Sequence, residues 1–210
     1  MSFTLFGCNI KVSYPLVAAL TTIFIFDRSG SALICCLAAF CHEMGHLTMM
    51  ALCRTKTEQI KLSLFDVKIS DTGKYQRSFP GEMAVILGGA GFNLLFCGIS
   101  HALFLWSGWE AFSLFTSANL FLAAFNLMPI ESLDGGNALY LLLLRHMRHE
   151  YVIRTIEVLS FIVLLPLAAA GFFVLLQSKY NFTLLFTSCY LMGIILLKNT
   201  KFRPGGKRSF

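Results

Sequence analysis

Apolar residues in this chain come in long runs that short polar connections separate. Six runs stand out, at 14–26, 31–53, 82–106, 109–128, 152–177 and 182–197. Most of them approach the roughly 20 residues that a helix needs to cross a bilayer. A backbone in lipid has no water to bond, so single spans must be helical. The pattern predicts an all-α membrane protein with about six transmembrane helices.

The polar connection between the second and third runs has a different period. Apolar residues alternate at positions 60, 62 and 64, and then at 65, 67 and 69. Alternation with period two is typical of strands, and the phase slip between Leu64 and Phe65 indicates a bulge or a bend. Asp71-Thr72-Gly73 is a turn signal. We expect a small β element here, resting on the cytoplasmic face of the membrane.

Composition agrees with a membrane protein. Of the 210 residues, 56% are hydrophobic and 13% are charged, which is about half the charged share of a soluble domain. Mean hydropathy is +0.69. Because the polar stretches are too short to fold alone, we expect one membrane domain over residues 1–200 and a short basic cytoplasmic tail over 201–210. Seven cysteines, an odd number without a C-x-x-C pair, indicate free thiols.

The distribution of positive charge predicts the orientation. If the N-terminus is cytoplasmic and all six runs cross, 15 of the 17 lysines and arginines lie inside, and only Arg28 and Lys179 lie outside. This bias predicts a multi-pass protein with both termini cytoplasmic. The net charge of +6 comes from loops between apolar runs rather than from a basic helix, which argues against nucleic acid as a partner.

The second run contains a cluster of ionisable residues, His42, Glu43 and His46. On a helix, two histidines four residues apart share one face, so both imidazoles can reach one zinc ion. Glu43 lies beside them and can accept a proton from water, as in the H-E-x-x-H motif of zinc proteases. Ionisable groups within a span are costly and indicate function. The alternative is a polar cluster that bonds neighbouring helices, although hydroxyls or amides would do so at lower cost.

A catalytic zinc site uses three protein ligands and keeps one position open. The best third candidate is Asp134, which lies between Pro129, where the fourth run ends, and Gly135-Gly136, which permits a tight turn. Under the inferred topology, Asp134 and the histidines lie at similar depth. Glu131 is the nearest competitor. Asp134 has the alternative role of N-cap of a helix over 137–148.

At this point a family resemblance is apparent. His42-Glu43-Met44-Gly45-His46, followed by Asn126, Pro129 and Leu133-Asp134-Gly135, resembles the site-2 protease family of intramembrane zinc metalloproteases. Residues 88–93 resemble that family's glycine-proline-x-x-asparagine element, with Ala90 in place of the proline. The likeness runs from Lys11 to about Arg148. It is closest to the compact branch that includes the stage IV sporulation protease, which cleaves a membrane-associated sigma-factor precursor.

The resemblance implies one zinc ion per chain and a role for six residues: zinc ligands His42, His46 and Asp134, catalytic base Glu43, and substrate-positioning residues Asn93 and Asn126. It implies hydrolysis of a peptide bond in a membrane-spanning or membrane-associated substrate near the cytoplasmic side. This would be regulated intramembrane proteolysis in a bacterial cell (inner) membrane, with a transcription-factor precursor and sporulation as the family precedent. The implied partners are a membrane-embedded protein substrate and a regulatory membrane protein.

Two other functions compete with proteolysis. A non-proteolytic membrane protein could keep the site to bind metal or substrate, but pure metal binding does not need Glu43. A metal transporter would need acidic or histidine residues deep within several spans. Outside the cluster only His101 lies there, since the other acidic residues of the runs, Glu82, Glu110 and Glu157, lie in the first two turns of a run.

Overall fold

The structure, a computed structural model of the chain, describes residues 2–5, 8–55, 57–62, 67–71, 77–178 and 183–201. It comprises two compact units, Met1–Asn126 and Leu127–Phe210. The elements of the first unit are β1 (Ser2–Leu5), β2 (Cys8–Val12), α1 (Tyr14–Phe26), α2 (Ser31–Leu52), β3 (Thr57–Leu62), β4 (Val67–Asp71), α3 (Phe79–Ser107) and α4 (Glu110–Asn126). Those of the second unit are α5 (Asp134–Leu143), α6 (His149–Ser178) and α7 (Thr183–Lys201).

A four-stranded sheet with order β1-β2-β3-β4 belongs to the first unit. Strands β3 and β4 pair antiparallel, with Ile60 opposite Ile69, which confirms the β element expected between the second and third apolar runs. The expected slip at Leu64–Phe65 and the turn at Thr72–Gly73 lie outside the described residues. Strands β1 and β2 were not predicted. Strand β2 pairs in parallel with β3, with Ile10 opposite Ile60, and a parallel pair needs a long crossover, which α1 and α2 provide.

Helix α2 begins after a tight turn at Asp27–Gly30. Gly30 adopts a left-handed conformation with φ 73°. The Asp27 carboxylate accepts hydrogen bonds from the Ser29 hydroxyl at 2.6 Å and from the Ala32 amide at 2.7 Å. The bond from the Ser29 side chain, followed by that from the Ala32 amide, holds the pKa of the Asp27 carboxyl below its ordinary value. Any stability that these bonds add is therefore present at neutral pH and lost as the pH falls through the lowered pKa.

Helix α2 packs on α3 and α4 through small residues. Ala38 of α2, Ala90 of α3 and Ala123 of α4 are all buried. A Cβ atom added to Gly88 would lie 2.8 Å from the Gly45 carbonyl oxygen, so the two backbones are in direct contact. Small residues at helix crossings are typical of membrane bundles. Ala90, at the expected proline position, lies within an uninterrupted α3.

A partly buried ion pair, Arg77–Glu82, connects the end of α2 to the start of α3 through Thr55. The Arg77 Nε atom donates to Glu82 Oε2 at 2.7 Å, and the Arg77 Nη1 atom donates to Thr55 Oγ1 at 3.3 Å. The Thr55 hydroxyl in turn donates to the Met50 carbonyl at 2.9 Å. The two helices are thereby held together at this end.

In the second unit, α6 packs against both α5 and α7. The apolar core of this unit includes Val152 and Leu164 of α6, Ile195 of α7, and Ile130 in the segment before α5. Helix α5 begins at Asp134 and ends at Leu143, so the expected helix over 137–148 is present but displaced toward the N-terminus.

The helices have the length and surface of a membrane protein. Three described helices are long and apolar enough to cross a bilayer: Ser31–Leu52, Phe79–Ser107 and His149–Gln177. Large apolar side chains on the helices are exposed, such as Phe121 at 67% and Leu165 at 65%. The predominantly helical membrane fold is thus confirmed. The six-span count, the single domain and the orientation stay predictions, and of the tail at 201–210 only residue 201 is described. Six of the seven cysteines are described as free thiols: Cys35, Cys36, Cys41, Cys53, Cys97 and Cys189.

Candidate metal centre

Helix α2 places His42 and His46 one turn apart, with their Nε2 atoms 3.2 Å from each other. The ring centroids are 4.8 Å apart and the ring planes are nearly perpendicular. His42 is only 6% exposed, and His46 is partly buried. The i, i+4 spacing has therefore brought two imidazole nitrogens to one point, as the sequence predicts.

The proton on His46 is fixed by a backbone group. Its Nδ1 atom lies 2.8 Å from the carbonyl oxygen of Val85 in α3. A carbonyl can only accept, so Nδ1 carries the hydrogen and donates it. In the neutral ring, Nε2 then presents a lone pair.

The proton on His42 is fixed by a side-chain amide. Its Nδ1 atom lies 2.6 Å from Oδ1 of Asn93, which is fully buried in α3. The Nδ2 atom of Asn93 donates to the Ala38 carbonyl at 3.1 Å and to Asn119 Oδ1 at 2.8 Å. The amide must therefore turn its oxygen toward His42, and the His42 ring donates from Nδ1.

Both Nε2 atoms are acceptors in this arrangement, so the two neutral rings cannot hydrogen-bond to each other. Two nitrogens about 2.05 Å from one tetrahedral ion would lie about 3.3 Å apart. The observed separation of 3.2 Å matches that value. Neutral imidazoles with an orienting partner on the other nitrogen are the usual form of a zinc ligand. The histidine pair therefore fits a zinc ion.

Gly89 of α3 lies directly against the two nitrogens. A Cβ atom built there would be 2.5 Å from His46 Nε2 and 2.7 Å from His42 Nε2. Any side chain at this position would occupy the space where the lone pairs converge. Glu43 follows His42 in α2 and is partly buried.

The segment that carries Asp134 belongs to the second unit. Asp134 is the first residue of α5, and Leu133 is its N-cap with extended backbone angles, so the alternative role of Asp134 as N-cap is wrong. A side chain on Gly135 would collide with the backbone of Leu127, and one on Gly136 would collide with the backbone of Ile130. The glycine pair thus lets residues 127–131 lie against the first turn of α5.

A curated protein and a solved structure are both similar to this chain. No family model matches the chain. Stage IV sporulation protein FB of Bacillus subtilis (strain 168) is 26% identical over 140 residues, which cover 61% of this chain and 46% of that relative. The match thus spans about half of the relative's length. A solved structure, the site-2 protease from Methanocaldococcus jannaschii, shares the fold with a TM-score of 0.64 and 17% identity, covering 100% of this chain and 99% of that one.

The chain is thus similar in fold to a site-2 protease and in sequence to a stage IV sporulation protein. The resemblance predicted from the sequence is confirmed, and it extends to the fold over the whole chain. The roles of individual residues stay predictions.

Asn93 and Asn126 occupy different surroundings. Asn93 is fully buried and its amide contacts His42, Ala38 and Asn119. Asn126 is the last residue of α4, is partly buried and donates from Nδ2 to the Leu122 carbonyl at 3.1 Å. The substrate-positioning role implied for both stays a prediction.

Sequence reasoning missed three residues that shape these segments: Gly89, Asn119 and Ser160. Gly89 was noted only as part of a motif, and its contact with both imidazoles is made across helices. Asn119 is an amide within an apolar run, which is a usable signal because buried amides need partners. Ser160 gives little signal, since serine is common in membrane helices.

Ser160 of α6 supports the segment before Asp134. Its hydroxyl accepts a hydrogen bond from the Glu131 amide at 2.9 Å and donates to the Ile156 carbonyl at 2.7 Å. Ser160 is fully buried, as is the neighbouring Ile130.

Replacing Ser160 by alanine is expected to destabilise the protein by about 1–3 kcal/mol, because a buried backbone donor loses its acceptor. Thermal unfolding of the detergent-purified protein measures the change. Ser117→Ala is the control, since that exposed serine bonds only the carbonyl four residues earlier in its own helix. Equal melting temperatures for the Ser160→Ala and Ser117→Ala variants would contradict the expectation.

Proposed function

We propose that this site-2 protease-like protein is a zinc metalloendopeptidase that hydrolyses a peptide bond of a membrane-spanning or membrane-associated protein near the cytoplasmic side. The observation that carries the proposal is the pair of Nε2 atoms of His42 and His46, 3.2 Å apart and against Gly89, on a helix that also carries Glu43. The sporulation relative and the shared fold support it.

His42, His46 and Asp134 are the proposed ligands of one zinc ion. Each offers one ligand atom, two imidazole nitrogens and a carboxylate oxygen. Three protein ligands with one open position are the donor set of a catalytic zinc site. Glu131 was the competing carboxylate. Its backbone amide is held by Ser160 in the segment before α5, whereas Asp134 is the first residue of α5.

Glu43 is the proposed general base. When bound, zinc supplies Lewis acidity that polarises the scissile carbonyl and acidifies water. Glu43 accepts the proton of the attacking water and delivers it to the nitrogen of the leaving amine. His42 and His46 contribute as neutral ligands, because the Asn93 amide and the Val85 carbonyl keep their hydrogens on Nδ1. Glu43 is also the residue that separates proteolysis from simple metal or substrate binding, which needs no base.

A helical substrate must unwind before its peptide bond can react, because its backbone is shielded by its own hydrogen bonds. An extended segment can be held by strand addition to a sheet. Strand β3 pairs with β2 and β4 on its two sides, so among the described strands the edges of the sheet are β1 and β4. We propose β4 as the edge strand that receives substrate.

The finer assignments follow the relative and the charge distribution. We propose regulated cleavage of a transcription-factor precursor, as the family resemblance of the sequence implies; the relative is named a stage IV sporulation protein. The proposed setting is a bacterial inner membrane with both termini cytoplasmic, as the positive-inside bias predicts. The proposed partners are the membrane-embedded substrate and a regulatory membrane protein.

Asp134→Ala tests the ligand set. We expect the variant to lose most of its zinc, because two imidazoles alone hold the ion far more weakly than three ligands. Metal content of the purified protein is measured by mass spectrometry, beside cleavage of tagged single-span and hairpin membrane proteins that are co-expressed with it. Glu131→Ala is the matched control and keeps zinc. Equal zinc in the wild type and Asp134→Ala would make the third ligand wrong, and zinc loss in Glu131→Ala alone would reassign it.

A further inference from the structure

Two buried asparagines on different helices connect His42 to a backbone carbonyl of α4. The His42 ring donates to Asn93 Oδ1 at 2.6 Å, and Asn93 Nδ2 donates to Asn119 Oδ1 at 2.8 Å. Asn119 Nδ2 then donates to the Phe115 carbonyl at 2.8 Å. Asn93 and Asn119 are both 0% exposed. Each bond in this series is donated in the same direction, away from the histidine.

The direction of the series is set at its far end. The Phe115 carbonyl can only accept, so it holds the amide nitrogen of Asn119 and turns the oxygen toward Asn93. That oxygen accepts one hydrogen of Asn93 Nδ2, while the Ala38 carbonyl accepts at the same nitrogen. Asn93 therefore keeps its oxygen on His42 because both acceptors lie on its other side.

The orientation of Asn93 decides which nitrogen of His42 carries the hydrogen. With the amide oxygen against Nδ1, the hydrogen is on Nδ1 and the Nε2 lone pair is directed at His46 Nε2. With the amide reversed, Nδ1 would accept, the hydrogen would move to Nε2, and that nitrogen could not bind a metal ion.

We propose that Asn119 is a positioning residue for the metal centre, which through Asn93 fixes the tautomer and orientation of His42. The proposal rests on the proposed zinc site. It gives α4 a part in metal binding through a residue that contacts neither imidazole directly. The proposal also explains why position 119 carries an amide. If residue 119 only joined α3 to α4, a hydroxyl would be enough, as the Ser100–Thr116 bond at 2.8 Å between the same helices shows.

The test compares zinc affinity of the purified full chain by competition with a chelating dye. Asn119→Leu removes both amide contacts at similar volume, and we expect about tenfold weaker zinc binding, the lower end of the effect of losing an orienting partner. Asn119→Asp is the conservative variant. Burial favours its neutral form, whose hydroxyl can donate to Phe115 while its carbonyl accepts from Asn93, so affinity stays within about threefold of the wild type.

Three further measurements separate a positioning role of Asn119 from general destabilisation. Thr116→Val breaks the Ser100–Thr116 bond between α3 and α4 and is expected to leave zinc affinity and the visible spectrum of the cobalt-substituted protein unchanged, whereas Asn119→Leu shifts that spectrum. In an Asn93→Leu background, Asn119→Leu is expected to cause no further loss, because its effect passes through Asn93. Nitrogen-15 shifts of zinc-free protein should show His42 as the Nδ1–H tautomer in the wild type and a mixture in Asn119→Leu.

The outcomes distinguish this proposal from the proposed function. Wild-type protein that binds zinc at His42 and His46, together with an Asn119→Leu variant of equal affinity and spectrum, would overturn the role of Asn119 and leave the protease intact. Equal losses in Asn119→Leu and Thr116→Val would also overturn it, since both would then act through packing. Wild-type protein whose zinc binding does not depend on His42 and His46 would instead remove the proposed function.

Discussion

Glu43→Gln is expected to leave zinc in place and to lower cleavage by about 10²–10⁴-fold, the usual contribution of a general acid–base group. The amide has the volume of the carboxylate but cannot accept the proton of the attacking water. Position 43 does not belong to the proposed ligand set of His42, His46 and Asp134. The loss should therefore fall on the rate of peptide hydrolysis and not on metal content.

The measurement follows cleavage of a co-expressed tagged membrane substrate, with zinc content determined on the same preparations. Glu110→Gln is the control, because Glu110 is an exposed acidic residue in the first turn of α4. It should cleave and bind zinc as the wild type does. Undiminished cleavage by Glu43→Gln would rule out the assigned base, and loss of zinc from that variant would place Glu43 among the ligands instead.

The second large effect, a loss of zinc binding, is expected from Gly89→Ala, which adds a single methyl group. Gly89→Ala places a Cβ atom 2.5 Å from His46 Nε2 and 2.7 Å from His42 Nε2, well inside van der Waals contact. Neither ring can yield easily, because Val85 and Asn93 hold the opposite nitrogens. We expect zinc affinity to fall by about 100-fold or more. Loss of a residue that orients a metal ligand lowers affinity by about 10- to 100-fold, and here the ligand atoms themselves are obstructed. Cleavage should fall with it.

Gly91→Ala is the matched control, in the same helix and two residues away, where an added Cβ meets nothing within 4 Å. Exchange of glycine for alanine favours a helix by up to about 1 kcal/mol, so helix propensity alone predicts that neither variant is destabilised. Zinc titration and thermal unfolding on both variants separate occlusion from misfolding. If Gly89→Ala bound zinc as tightly as Gly91→Ala, the space between the two Nε2 atoms would not be the metal site.

Much of the helical architecture could be predicted, because long apolar runs allow few alternatives in lipid. The run at 31–53 became α2, Ser31–Leu52, and the run at 82–106 became α3, Phe79–Ser107. Boundaries were less certain where the signal was short. Helix α5 starts at Asp134 and not at Asn137. Gly135 and Gly136, which the sequence predicts in a tight loop turn, belong to the first helical turn of α5. Strands β1 and β2 were missed because they are short and because the pairing of β2 with β3 is distant in sequence.

The sequence by itself determined that two imidazoles share one face of a membrane helix, with a carboxylate beside them, because residues four apart are neighbours in any α-helix. Only the tertiary structure decided which nitrogen each ring presents. Asn93 lies 51 positions from His42 and Val85 lies 39 positions from His46, and Gly89 reaches both rings only because α2 and α3 cross at Gly45 and Gly88. Such contacts depend on how helices pack, and no local period in the chain encodes them.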